Sequence, residues 1–321
     1  MDRETVALRV LAHFTPGRRV LDFVAAESDW LDVRWCAEDD DATLRRELPG
    51  VDVIWHVLRP LSAADLELAA KCRLVHKLGA GVNTIDVDAA TRCGIAVANM
   101  PGANAPSVTE GTLLLMLAAL RRLPVLDRAT REGRGWPSDP GLGETVRDIG
   151  GCTVGLVGYG NIAKQVEKVL ATLGARVLHT STRDDGHPDW RPLPALLSES
   201  DIVSLHLPLT AATRHLIDED ALGLMKPDAV LVNTARGPIV DEEALAAALR
   251  EGRLAAAGLD VFAAEPVEPG NPLLDLDNVV LTPHVTWYTV DTMRRYLEVA
   301  VDNCRRLRDG RELANVVNQV S

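Results

Sequence analysis

One short run near the middle of the chain limits its fold more than any other. Cys152-Thr153-Val154-Gly155-Leu156-Val157 reads as a buried strand and passes directly into Gly158-Tyr159-Gly160-Asn161-Ile162-Ala163. The helix expected next keeps Ile162, Val166, Val169, Leu170 and Leu173 on one face and stops before Gly174, the pattern of a helix packed on a sheet. A glycine turn alone is weak evidence. Set between a buried strand and an amphipathic helix, G-x-G-x-x-[G/A] marks a dinucleotide-binding β-α-β unit. Gly158 permits the tight bend, and Gly160 lets the backbone approach a pyrophosphate. The helix start at Asn161 and Ile162, beside Tyr159, supplies amide donors and a positive dipole end.

From that turn onward six strand-like segments appear in order, at 153–157, 176–180, 202–207, 229–233, 256–261 and 278–282. Helices are expected between most of them, one over 242–251 with Asp241 as its N-cap. Six strands in this arrangement match a doubly wound parallel sheet. Upstream, apolar strands at 6–11, 51–57, 74–78 and 95–98 alternate with helix-compatible stretches such as 62–71, so this part is also α/β. The turn-rich run 99–106 is a candidate crossing between two domains. A helix over 108–123 should follow, with Ser107 as N-cap, Glu110 three residues on and Pro124 limiting its end. The Gly- and Pro-rich region 133–151 reads as a loop, and 290–308 as a last helix.

At 321 residues the chain has room for two domains with separate cores. A net charge of -12 argues against nucleic acid or an anionic membrane surface as partner. It also means that an anionic ligand must be captured by local positive groups. The five cysteines are odd in number and scattered without a C-x-x-C pair, which suggests no disulfide framework, no zinc site and a reducing cytoplasm. The start at Asp2-Arg3-Glu4 lacks the features of a signal peptide, and the longest apolar run, 113–120, is too short to span a membrane.

The end of the second strand after the glycine turn bears on cofactor choice. An NAD site places an acid there for the ribose 2'-hydroxyl, but this chain reads His179-Thr180-Ser181-Thr182-Arg183. Hydroxyls at Ser181 and Thr182 with the Arg183 guanidinium suit a 2'-phosphate, so NADPH is the expected cofactor and NAD the alternative. The other reading makes Arg183 a solvated loop charge paired with Asp184 or Asp185.

Three residues follow the last three expected strands: Arg236, Glu265 and His284. Ligands of open parallel sheets bind outside the carboxyl ends of the strands. Reduction of a 2-oxo acid needs a cation for the carboxylate, a proton donor for the developing alkoxide and a partner for that donor. Arg236 can grip a carboxylate with two prongs, and His284 beside the Glu265 carboxylate can serve as general acid. No metal is required.

These residues stand in motifs that resemble the D-isomer-specific 2-hydroxyacid dehydrogenase family of the glyoxylate and hydroxypyruvate reductase kind. Asn233-Thr234-Ala235-Arg236-Gly237-Pro238-Ile239-Val240-Asp241-Glu242 is similar to its arginine motif. Gly258-Leu259-Asp260-Val261-Phe262 ending at Glu265-Pro266 is similar to its glutamate motif, and Thr282-Pro283-His284 to its histidine motif. The resemblance extends through Pro208-Leu209-Thr210, 99–110 and Gly79-Ala80-Gly81-Val82-Asn83, covering nearly everything from about Val51 onward.

The resemblance implies a Rossmann-type coenzyme domain over 101–288. It also implies a discontinuous flavodoxin-like α/β substrate domain formed by 1–100 and 289–321. It implies NAD(P)-dependent reduction of a small 2-oxo acid to the D-2-hydroxy acid, in a cytoplasmic homodimer paired through the 108–123 helix. Arg236, Glu265 and His284 are then catalytic. Ala80 and Gly81 amides bind the substrate carboxylate, Asp260 contacts the nicotinamide carboxamide, and Pro208 and Thr234 lie along the cofactor.

Two departures stand out: Ser181 replaces the usual acid, and Val285-Thr286-Trp287 follows His284 where small residues are common. The Trp55-His56-Val57-Leu58-Arg59 segment and Trp287 would together narrow the substrate pocket, favouring compact acids, or Trp287 would pack between domains. With Trp55 it would alternatively wall a pocket for aryl acids, and Arg59 would bind a hydroxyl or second acid group. A dinucleotide-sensing co-regulator with the same fold and little turnover is the reading from a different class.

Overall fold

A computed structural model describes residues 7–134 and 140–320. The expected loop at 133–151 therefore lies partly outside the described residues, as do Val6 and the Asp2-Arg3-Glu4 start. The chain divides into two compact units, one of residues up to Asn104 with those from Thr289 onward, the other of Ala105–Tyr288.

The first unit is built on five parallel strands, β1 (Leu8–His13), β2 (Leu31–Cys36), β3 (Val53–His56), β4 (Leu74–Lys77) and β5 (Ala96–Ala98), in the order β2-β1-β3-β4-β5. This is the flavodoxin-like order. One face packs Leu11, Ile54, Val75 and Val97 against Leu44, Leu66 and Ala89. The opposite face meets the helix Val290–Arg308, where Asn303 Nδ2 lies 2.8 Å from His76 Nε2. The strand β2 went unread in the sequence. It is an edge strand whose middle residues Asp32 and Arg34 pair with each other near the surface, so its apolar signal is diluted.

The second unit has six parallel strands, β6 (Thr153–Val157), β7 (Arg176–Thr180), β8 (Ile202–Leu205), β9 (Val230–Asn233), β10 (Ala256–Leu259) and β11 (Val279–Leu281). Their order is β11-β10-β9-β8-β6-β7. Side chains alternate between two cores: Ile202, Val230 and Val232 enter one, Val203, Leu205 and Leu231 the other. Both faces of the sheet are therefore buried, which explains the near-continuous apolar runs. Beyond β7 the next strand of the doubly wound order is reduced to a single parallel bridge, His179 to Trp190. The chain reverses direction across the sheet between β6 and β8, the topological switch point.

Pro106, expected in a turn, and Pro124, expected to stop a helix, each lie in the first turn of a helix. The helix expected over 108–123 runs from Ala105 to Leu120, with Pro106 in its first turn and Ser107 buried inside it. A second helix, Leu123–Arg131, begins with Pro124 after Arg122 takes a left-handed conformation. A proline ring lacks only an amide that the first turn leaves unbonded, and its φ is already helical. The region 133–151 holds a short helix, Pro140–Thr145, and the turn Ile149–Gly151. Leu114 and Leu117 are exposed on the Ala105–Leu120 helix, so its apolar run is not enclosed on every side within one chain.

Candidate active site

The glycine turn leaves β6 where the strand order reverses. Gly158 has φ of 89°, and a Cβ there would sit 2.5 Å from the His206 carbonyl oxygen. Only glycine meets both conditions. Gly160 caps the helix Asn161–Thr172 with extended backbone and no side-chain hydrogen bond, and nothing lies within 4 Å of the place a Cβ would take. The space beside Gly160 is open at a positive helix end, which fits a pyrophosphate. Ala163, in the third glycine position, is fully buried.

Tyr159 turns toward the end of β7 and stacks on His179 with ring centroids 3.7 Å apart. His179 Nε2 lies 2.9 Å from Asp185 Oδ2. The sequence offered no sign of this link between the glycine turn and the loop after β7. In that loop Ser181 Oγ donates to the Arg183 carbonyl at 2.6 Å. Both candidate partners of Arg183 are engaged elsewhere. Asp184 accepts from the Gly186 amide, and Asp185 from the His187 amide as well as from His179. Among the described residues Arg183 forms no ion pair, and it is exposed with Thr182.

The arginine, glutamate and histidine loops converge beyond β9, β10 and β11. Asn233 ties down the first by donating to the Arg236 carbonyl at 2.9 Å and accepting from the Ala235 amide at 3.0 Å. Arg236 is half-buried, and its Nη1 donates to the Ala235 carbonyl at 2.6 Å. Next to it, a Cβ on Gly237 would overlap the Phe262 carbonyl carbon at 1.9 Å. Absence of that atom lets the arginine loop press against the glutamate loop. The Phe262 amide then donates to Glu265 Oε1 at 3.0 Å.

The other carboxylate oxygen of Glu265, Oε2, lies 2.8 Å from His284 Nδ1. Burial opposes charge on Glu265, but the hydrogen bond and charge of His284, the Phe262 amide and the Arg236 charge outweigh it. Together they hold the carboxyl below its ordinary value. An ionised carboxylate only accepts, so Nδ1 carries the proton of this bond and Nε2 is the nitrogen left to face a substrate.

His284 itself is left-handed, with φ of 55°. Its amide donates to the Asp260 carbonyl at 2.7 Å. The Asp260 carboxylate is fully buried and takes four donors: Thr282 Oγ1 and Thr286 Oγ1 at 2.6 Å, and the amides of Val285 at 2.9 Å and Thr286 at 3.1 Å. Four donors fill the acceptor sites of a carboxylate. Trp287 Nε1 donates to the His284 carbonyl at 2.9 Å, fixing the indole to the same loop.

The remaining expected site residues have these surroundings. Thr234 shares a 2.9 Å hydroxyl contact with Thr112. Pro208 is exposed beyond β8, and its carbonyl accepts from Thr213. Ala80 and Gly81 belong to the first unit, where Asn99 Nδ2 donates to the Ala80 carbonyl at 2.7 Å. Two candidates are corrected. Arg59 is held by Asp41 at 2.6 Å and Asp65 at 3.8 Å, and Trp55 is wholly buried. A guanidinium engaged by two acids and an indole with no exposed surface are not free to contact a substrate. Among the described residues no three His, Cys, Asp or Glu side chains are grouped to hold a metal ion, and no helix is long and apolar enough to cross a membrane.

Residues 113–286 match the family model for the NAD-binding domain of D-isomer specific 2-hydroxyacid dehydrogenases. A glyoxylate reductase of Korarchaeum cryptofilum is 41% identical over 269 residues, covering 81% of this chain and 80% of that one. Among solved structures, an NADPH-dependent glyoxylate/hydroxypyruvate reductase from Sinorhizobium meliloti, in complex with NADP and malonate, has a TM-score of 0.83. It is 30% identical, over 97% of this chain and 96% of that one. A D-lactate dehydrogenase from Aquifex aeolicus, complexed with NAD and lactic acid, has a TM-score of 0.86 at 28% identity, over 97% and 100%. The chain belongs to the D-isomer specific 2-hydroxyacid dehydrogenase family, NAD(P)-dependent oxidoreductases acting between 2-hydroxy and 2-oxo acids.

Proposed function

We propose that the protein is an NADPH-dependent reductase of compact 2-oxo acids, of the glyoxylate and hydroxypyruvate type, giving the D-2-hydroxy acid. The observation that carries the reaction is the Glu265–His284 pair at 2.8 Å with Arg236 on the adjoining loop. The half-buried Arg236 holds the substrate carboxylate and polarises the carbonyl, with the amides of Ala80 and Gly81 as further donors to that carboxylate. Bound NADPH supplies the hydride to the carbonyl carbon. His284 delivers its Nε2 proton to the oxygen, and Glu265 stabilises the imidazolium and keeps the ring in orientation.

Ala105–Tyr288 serves as the coenzyme domain and the other unit as the substrate domain. Gly158, Tyr159, Gly160, Asn161 and Ile162 form the pyrophosphate turn, with Pro208 and Thr234 along the cofactor. Asp260 acts by holding the His284 loop beside the nicotinamide. The choice of NADPH rests on Ser181, Thr182 and the unpaired Arg183. A compact substrate is favoured because Trp287 adds bulk next to His284; the buried Trp55 supplies neither the narrowing nor an aryl-binding wall. The exposed Leu114 and Leu117 support a homodimer, and five free cysteines a reducing cytoplasm.

Steady-state rates with glyoxylate, hydroxypyruvate and phenylpyruvate, each with NADPH and NADH, test the reading. We expect the highest kcat/KM for a compact acid with NADPH, and a loss of 10²- to 10⁴-fold in His284→Ala. A preference for phenylpyruvate refutes the substrate assignment. Tight NADPH binding with negligible turnover on every acid would make the protein a cofactor sensor.

A further inference from the structure

We infer that the helix Ala105–Leu120 is a common gauge for the three catalytic loops, with Gly111 and Thr112 as positioning residues. The inference uses the roles proposed for Arg236 and His284 but stands on contacts that are independent of them. Three residues within two turns of the helix each meet a different motif. Gly111 faces the histidine loop: a Cβ there would lie 2.6 Å from Thr286 Cβ and Cγ2 and 3.1 Å from its Cα. Thr112 faces the arginine loop, with Oγ1 2.9 Å from Thr234 Oγ1. Leu115 faces the strand leading to the glutamate loop, its Cβ and carbonyl oxygen 3.0 and 3.1 Å from where a Cβ of Gly258 would be.

These contacts have direction. The Thr112 hydroxyl donates to the Val108 carbonyl at 2.7 Å, and its single proton is then spent. The bond to Thr234 must be donated by Thr234, two residues before Arg236. Thr286 gives both its amide and its hydroxyl to Asp260, whose carbonyl receives the His284 amide. Pushing Thr286 away from the helix therefore strains the network that keeps His284 left-handed. A rigid helix touching two of the loops and the strand that leads to the third fixes their mutual spacing, and a general acid and a carboxylate grip lose rate steeply when displaced by about an ångström.

Gly111→Ala is the direct test, because alanine favours helix over glycine and the helix itself gains. Hydrogen exchange should accelerate at the amides of His284, Val285 and Thr286 while those of the Asn161–Thr172 helix keep their protection. With glyoxylate and NADPH, kcat should fall at least tenfold, NADPH affinity should stay within twofold, and the isotope effect with 4-deuterated NADPH should rise. Thr112→Val should raise the KM for glyoxylate, and Thr112→Ser, which keeps the hydroxyl, should restore it. If Gly111→Ala does not fold, the valine and serine pair decides. Unchanged exchange at 284–286 with unchanged kcat overturns the inference, as does a Thr112→Val enzyme that matches wild type. A wild-type protein inactive on every acid would refute the proposed reaction and leave the exchange experiment to decide the gauge.

Discussion

Replacing Arg183 by alanine separates the two cofactors on physical grounds. Its guanidinium projects from the loop after β7 with Asp184 and Asp185 both committed to other donors, so it carries its charge to an incoming phosphate uncompensated. Hydrogen bonds to charged groups contribute about 1.5–3 kcal/mol. Exposure of Arg183 places it at the lower end. A loss of about 1.5–2 kcal/mol is roughly ten- to thirtyfold in dissociation constant. NADH lacks the phosphate and should bind Arg183→Ala as it binds wild type. Fluorescence titration of both cofactors gives the two constants. Repeating the NADPH titration at higher salt should narrow the gap between wild type and variant, since surface charges are screened over about 8–10 Å at physiological ionic strength. Equal weakening of NADPH and NADH would show that Arg183 shapes the loop without reading the phosphate, and a wild type preferring NADH would remove the argument altogether.

Glu265 is held below its ordinary 4.5, so its contribution is present above that value and disappears only as pH falls through the lower folded value. Turnover should keep this pair through mildly acid pH, and Glu265→Gln should change the pH–rate profile; superimposable profiles would dismiss Glu265 as the partner of His284. Buried His76 has its pKa lowered from 6.5 to about 4 by burial, with the Lys77 carbonyl opposing. The unfolded chain therefore binds the extra proton between those values, stability falls as pH drops from about 6.5 to 4, and the loss reaches about 3 kcal/mol. Urea unfolding across that window measures the slope, which should flatten in His76→Gln and contradicts the account if it does not. Light scattering should report a dimer for wild type and a monomer for Leu114→Lys with Leu117→Glu; a wild-type monomer at micromolar concentration would place these leucines on a free surface.

Arg236, Glu265 and His284 were legible because each follows a strongly apolar strand by a few residues, and strand ends in a parallel sheet share one edge. The same logic located Gly158 and Gly160. What brings the loops together was not legible. Gly237 against Phe262 and Gly111 against Thr286 are close approaches between segments far apart in sequence, and a missing Cβ does not say what passes beside it. Arg59 and Trp55 misled for a related reason: a side chain at a strand end can turn into the interior, as Trp55 does, or to local acids, as Arg59 does. The start of the helix at Ala105 was displaced because Pro106 was read as part of a turn, and the helix from Leu123 was missed because Pro124 was read only as a stop. Arg183 was readable only as a choice, and the turn of Asp184 and Asp185 away from it could be seen only in three dimensions.

Beyond β7 the loop between His179 and Trp190 meets the sheet through one backbone bridge and through Asp185, whose Oδ2 lies 2.9 Å from His179 Nε2. Only the paired backbone bonds His179 to Asp189 and Arg191 to His179 attach its far end. Positions 181–184 on this loop can therefore be recharged without moving a core residue, provided Asp185 stays against the buried His179. Change in this region has a low structural cost, whereas the glycine turn beside it is locked by φ and by the His206 carbonyl. On the proposed role of Arg183, the coenzyme pool that the enzyme draws on is written in one surface loop, and an engineer could rewrite it there by grafting.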